Sequence, residues 1–168
     1  MGIILDTFVK CGWIYNMSRP WKELERDIRS HLFVMLEHLV KVYYYHDYSQ
    51  YLHGWCDSIK KGFEDIGKVV PKNKYPSKEK LYKFIVDDWG DGDIDKRHRD
   101  VIEDLNASYD EVPPIEHIDS DGFLKFFLAY CDYLCGIIST NGGITTTKVE
   151  NFVNDYFKLN IGENQYDA

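Results

Sequence analysis

The chain has 168 residues, 44% of them apolar and 15% aromatic, against 29% charged and a net charge of −8. That length folds as one domain burying roughly 70% of its unfolded surface, and so many large apolar groups exclude a disordered chain or one dependent on disulfides. Cys11, Cys56, Cys131 and Cys135 show no paired Cys-x-x-Cys spacing, no signal sequence opens the chain and no apolar run approaches ~18 residues, so zinc, secretion and a membrane span are not expected.

Cytoplasmic localisation follows as the expectation. Met1 and Gly2 open like a myristoylation start, but Asp6 stands where Ser or Thr is required. Met17, followed by Ser-Arg-Pro-Trp, reads as a start in its own right, which makes residues 1–16 an N-terminal extension.

The first predicted helix covers 18–45, with Trp21, Leu24, Ile28, Leu32, Met35, Leu39 and Val42 recurring at steps of three and four. Ser18 is placed to cap it, and Pro20 is tolerated in its first turn. A second helix over 49–69 carries Leu52, Trp55, Ile59, Phe63 and Ile66 on one face and stops before Pro71. Ser77 opens a shorter one with Leu81, Phe84 and Ile85 inward, ended by Gly90-Asp-Gly-Asp93. A fourth runs from about 94 to 108. Pro113 and Pro114 break the chain before Asp119 or Ser120 caps a strongly apolar helix with Leu124, Phe127, Leu128, Cys131, Leu134, Cys135 and Ile138 inward. Asn141, Gly142 and Gly143 end it. Thr147 with Glu150 reads as a capping box for a last helix, with Val149, Phe152, Val153, Tyr156 and Phe157 inward and a frayed tail over 162–168. With no alternating strand pattern or internal repeat, the fold class is all-α, a single compact bundle of five to seven helices.

Charge is unevenly spread. Residues 87–121 hold thirteen acids against Lys96, Arg97 and Arg99, a local net of −10, whereas residues 60–83 hold eight lysines against three acids. A concentrated acidic surface repels phosphate and steers basic partners toward it. The candidate partner-binding groups are Asp87, Asp88, Asp91, Asp93, Asp95, Asp100, Glu103, Asp104, Tyr109, Asp110 and Glu111, with Tyr109 as an exposed aromatic hot spot. These acids do not make a calcium loop: in the run from Asp91 the sixth and twelfth positions are Lys96 and Ile102, and in the run from His117 the first and twelfth are His117 and Leu128.

His31, His38, His46 and His53 recur every seven or eight residues, but no Glu-x-x-His accompanies them, so they read as ordinary helix-flank histidines. Cys131 and Cys135 share one helical face and read as small core hydrophobes. No Walker loop, dinucleotide glycine fingerprint or Gly-x-Ser-x-Gly occurs, so no cofactor is expected and catalysis is not the favoured reading.

Two resemblances bear on function. Arg26-Asp-Ile-Arg-Ser-His31 resembles the Arg-x-x-x-x-His signature of HEPN-domain ribonucleases, helical proteins in which the arginine and histidine of two protomers meet and cut RNA without metal. The resemblance implies a homodimer in which Arg26 holds the scissile phosphate and His31 is the acid or base. More broadly, residues 23–75, through His38, Leu39 and Lys41, then Trp55, Ser58 and Ile59, then Pro71, resemble the core of the bacterial domain-of-unknown-function family numbered twenty-nine. That resemblance implies a helical fold and a His-Lys-Trp grouping in which Trp55 packs on the long helix and the lysine snorkels outward.

The favoured reading is therefore a small acidic interaction module of the inhibitor or immunity type. Its acidic segment would dock on a protein whose basic surface ordinarily holds nucleic acid, with no nucleic acid bound directly and no membrane involved. The rival is the metal-independent ribonuclease that uses Arg26 and His31.

Overall fold

The chain is described by a computed structural model over residues 21–69, 78, 79, 82, 83, 91–140 and 142–164. Five helices fill the main segments: α1 Trp21–Tyr45, α2 Ser49–Val69, α3 Asp91–Ser108, α4 Ser120–Ser139 and α5 Thr146–Asn164. No strand occurs among the described residues, and the all-α expectation holds. The cap at Ser18, Pro20, residues 1–16, the inward residues of the Ser77 helix, Asp87, Asp88 and residues 165–168 lie outside the described residues.

The stripe read from the sequence becomes the core face of α1: Leu32, Met35, Leu39 and Val42 are buried, joined by Leu36 and Val40. Leu52, Trp55, Cys56, Ile59, Phe63 and Ile66 of α2 meet it. Each such burial is worth about 1.5–3 kcal/mol, so the seam between these two helices is a main source of stability. Their connection is tight. The Tyr48 N–H donates to the Tyr45 carbonyl (2.9 Å), and the Tyr48 carbonyl accepts from Leu52 (3.2 Å), so Tyr48 closes α1 and opens α2.

α3 begins at Asp91, three residues before the expected start. The glycine-rich stretch does not break it because first-turn N–H groups have no intrahelical acceptor to lose, and Asp93 there favours the positive end of the dipole. Ile94, His98, Val101, Ile102 and Leu105 face inward.

α4 buries a face shifted from the expected one. Phe123, Phe126 and Tyr130 are buried with Phe127, Cys131, Leu134 and Cys135, while Leu124, Leu128 and Ile138 are only half-buried. The displacement follows from α5, whose Phe152, Tyr156 and Phe157 pack against Phe126 at centroid distances of 5.1–6.1 Å. Among the described residues α4 is the one helix long and apolar enough to cross a membrane by length and composition; seven of its side chains are buried within the bundle.

α5 starts two residues earlier than the expected capping box allows. Thr145, not Thr147, is the cap: its hydroxyl accepts from the Lys148 N–H (3.2 Å). Glu150 instead lies 2.7 Å from Nδ1 of His53, and the Thr146 hydroxyl donates to Asp57 (3.1 Å), so this end of α5 is tied to α2. Three consecutive threonines made the register ambiguous. The helix also continues through Gly162 to Asn164.

Candidate functional site

Eight acids of the segment fall into three groups once folded; the side chain of Asp91 lies outside the described residues. The first is structural. Arg99 donates to Asp95 (3.0 Å), and the Ser120 hydroxyl together with that guanidinium holds the Asp95 carboxyl below its usual range. Asp119 caps α4, its Oδ1 accepting from Gly122 N–H (3.0 Å) and its Oδ2 from the Tyr43 hydroxyl (2.6 Å). The Tyr43 bond, then the Gly122 bond, keep this carboxyl low. Gly122 is required there, since a β-carbon would stand 2.1 Å from Asp119 Oδ2 and 2.2 Å from the Tyr43 hydroxyl.

The second group lies beside cations. Asp93 and Asp100 line a groove of about 300 Å³ between α1 and α3 together with Arg29, Lys96, Arg97 and Phe33. The Arg97 guanidinium lies 5.4 Å from the Phe33 ring centroid. Here the surface is mixed in sign.

The third group remains available. Glu103, Asp104, Asp110 and Glu111 are exposed at the C-terminal end of α3 and in the loop after it, and none of the ion pairs formed among the described residues involves them. No basic residue occupies the last turn of α3. Acids at the negative end of a helix dipole are unfavourable by about 0.3–1 kcal/mol each, so this corner holds uncompensated negative potential.

Beside it opens a cavity of about 420 Å³ lined by Tyr45, Leu105, Asn106 and residues 109–114. Its walls are fixed by long-range bonds. The Tyr45 hydroxyl donates to the Pro113 carbonyl (2.5 Å), and the Asn106 side chain both donates to the Ile115 carbonyl (3.0 Å) and accepts from the Ile115 N–H (2.8 Å). Val112 and Ile115 plug the loop into the core.

Tyr109 is half-buried rather than exposed as expected. Its hydroxyl donates to Glu111 (3.0 Å), and the Lys41 ammonium stands 4.8 Å from its ring centroid. Lys41 does not snorkel outward either: it is 7% exposed, and its ammonium pairs with Glu37 at 2.7 Å. Trp55 packs against Tyr45 and Tyr51, so its grouping with Lys41 runs through the tyrosines of the α1–α2 corner.

Arg26 is exposed and His31 half-buried on α1. Five residues on a helix span about 140° around its axis, so within one chain the two side chains leave on different sides. His31 lies near α2, where Lys68 chiefly, and His31 more weakly, keep the Asp65 carboxyl low. His38 is half-buried and its imidazole pushed down by burial, with Lys41 adding to the effect. His46 stacks on Phe157 at 3.7 Å, and His53 pairs with Glu150. Among the described residues no three His, Cys, Asp or Glu side chains converge as a metal site. Cys56, Cys131 and Cys135 are buried free thiols; burial raises all three, Cys56 and Cys135 to about 12, which leaves them unreactive.

One polar centre was not anticipated from the sequence. His98 is fully buried between Phe123 (4.1 Å, planes 13° apart) and Tyr44 (5.7 Å, 14°), with Nε2 3.0 Å from the Tyr44 hydroxyl. Burial depresses its imidazole to about 4, against the opposing pull of Asp95 and Asp119, so it is neutral at physiological pH. The signal that existed was its spacing: His98 falls four residues after Ile94 and three before Val101, on the apolar face of α3. Comparisons of the chain with models of protein families, with curated proteins and with solved structures find no match.

Proposed function

We propose that this protein is an interaction module that docks the C-terminal end of α3 and the following loop onto a basic surface of another protein, in the manner of an inhibitor or immunity-type regulator. The observation that supports this most directly is the group of four exposed carboxylates at Glu103, Asp104, Asp110 and Glu111, which form no ion pair among the described residues and sit at the negative end of a helix without a cation in its last turn. A basic partner relieves that repulsion on binding, which favours fast, salt-sensitive association. Asp95 and Asp119 belong to the joint between α3, α1 and the start of α4, and Asp93 and Asp100 lie in the mixed-charge groove.

The test is capture of partners from the native host with the wild-type chain, with a variant carrying Glu103, Asp104, Asp110 and Glu111 changed to Lys, and with a control carrying Asp47 and Asp155 changed to Lys. A basic protein retained by wild type and control, lost by the fourfold variant and released by salt is the expected result. Equal retention by all three forms overturns the reading.

A further inference from the structure

We infer that the cavity after α3 receives an arginine side chain presented by the basic partner. This rests on the docking reading above and names what the corner grips. The cavity is about 420 Å³, in the lower part of the ~300–1,000 Å³ range of small-ligand sites, so it accommodates one long side chain rather than a segment of chain. Its floor is apolar through Leu105 and Val112. Tyr109, Pro113 and Pro114 give it flat walls, and Asp110 and Glu111 place two exposed carboxylates at its edge.

The charged groups that line this space, Asp110 and Glu111, are both acidic, and the Lys41 ammonium beside Tyr109 is already paired with Glu37 at 2.7 Å. The two edge carboxylates, those of Glu103 and Asp104 one turn back, and the carbonyl end of α3 all favour a cation. The Tyr109 ring already shows the chemistry, since the Lys41 ammonium stands 4.8 Å from its centroid. A planar guanidinium suits the site better than an ammonium because it stacks on tyrosine and proline faces while its fork bonds carboxylates in pairs. The site is also preformed. Tyr45 anchors Pro113, and Asn106 bonds both backbone groups of Ile115, so binding orders little that is not already fixed.

The test titrates the intact, nitrogen-15-labelled chain with acetylated Gly-Gly-Arg-Gly-Gly and with the same peptide carrying lysine or citrulline. The variants are Asp110→Asn with Glu111→Gln at the cavity, and Glu103→Gln with Asp104→Asn on the helix; all four positions are exposed, and each variant's amide spectrum reports its fold. The expected result is shifts confined to amides of residues 105–112, with arginine binding at least about tenfold tighter than citrulline and tighter than lysine. The cavity variant should abolish the selectivity and the helix variant preserve it. Shifts spread along the acidic surface, with arginine and lysine equal and both variants equally weakened, would overturn the cavity while leaving acidic docking intact. Absence of binding by any peptide would also overturn it, and the capture experiment then decides the docking reading independently.

Discussion

The rings of Tyr44 and His98 lie nearly parallel, 14° apart, with the Tyr44 hydroxyl 3.0 Å from Nε2 of His98. The same hydroxyl accepts from the Asp119 N–H at 3.0 Å, so one phenol of α1 holds both α3 and the cap of α4. This joint therefore ties α1 to the middle of α3 and to the start of α4. Tyr44→Phe removes the hydroxyl and leaves a buried imidazole nitrogen and a backbone donor short of a partner. A loss of about 1–3 kcal/mol is expected, measured by urea unfolding at pH 7; a variant as stable as wild type would show that the joint contributes nothing.

Acid should weaken the fold in two stages. His98 has its folded value depressed to about 4 from an ordinary 6.5, so the unfolded chain takes up its proton first. Its contribution to stability is complete above about pH 6.5 and declines as pH falls toward 4, by about 3 kcal/mol at 1.36 kcal/mol per unit. Asp119 has the opposite charge but the same direction of effect. Its depressed carboxyl contributes above the ordinary carboxylate value of about 3.9 and is lost as pH falls through its lower folded value. Urea midpoints at pH 7, 5.5 and 4.5 should fall for the wild type. His98→Phe, which keeps a flat ring between Tyr44 and Phe123, should flatten that slope; an unchanged slope would assign the acid sensitivity elsewhere.

Gly122 offers a sharper test of the cap. The position where a β-carbon would project is crowded by the Asp119 carboxylate and the Tyr43 hydroxyl, the two groups whose hydrogen bond joins α1 to the start of α4. Gly122→Ala should therefore destabilise the protein by about 1–3 kcal/mol, although alanine is the better helix former by about 1 kcal/mol. Gly54, whose β-carbon would meet nothing within 4 Å, is the control, and Gly54→Ala should be neutral or stabilising. Thermal melts of the two variants compare them directly.

Much of this fold is legible in the chain because period 3.6 is a local signal. The faces of α1 and α2 fall where Leu32, Met35, Leu39, Trp55 and Ile59 recur, and turn residues mark the breaks. What the chain conceals is set by distant partners. Phe126 and Tyr130 are buried because α5 returns to cover them, and no periodicity within α4 announces that. Thr145, Thr146 and Thr147 are equivalent as caps until Asp57 and His53 of α2 select the register. The acidic segment was visible as a sum of charges, whereas the assignment of Asp95 and Asp119 to the scaffold depends on Arg99, four residues away, and on Tyr43, 76 residues away. The role of His98 is hidden in the chain because its stacking partners come from α1 and α4.

Arg26 and His31 separate the two functional readings experimentally. On the docking reading neither residue touches the partner surface, which lies at the far end of α3, so Arg26→Ala and His31→Ala should leave partner affinity within about twofold of wild type. The fourfold reversal of Glu103, Asp104, Asp110 and Glu111 should weaken it at least about a hundredfold, with a reduced dependence on salt. Paired measurements by calorimetry at two salt concentrations, with an RNA-cleavage assay on the same preparations, give the comparison. On the ribonuclease reading, which resembles HEPN-type enzymes only through this pair, the outcome inverts. Because helical spacing sends the two side chains to different sides of α1, cleavage would require a second protomer, so activity should rise more steeply than linearly with protein concentration. Cleavage that vanishes in His31→Ala, survives the acid reversal and depends on dimerisation would replace the docking reading.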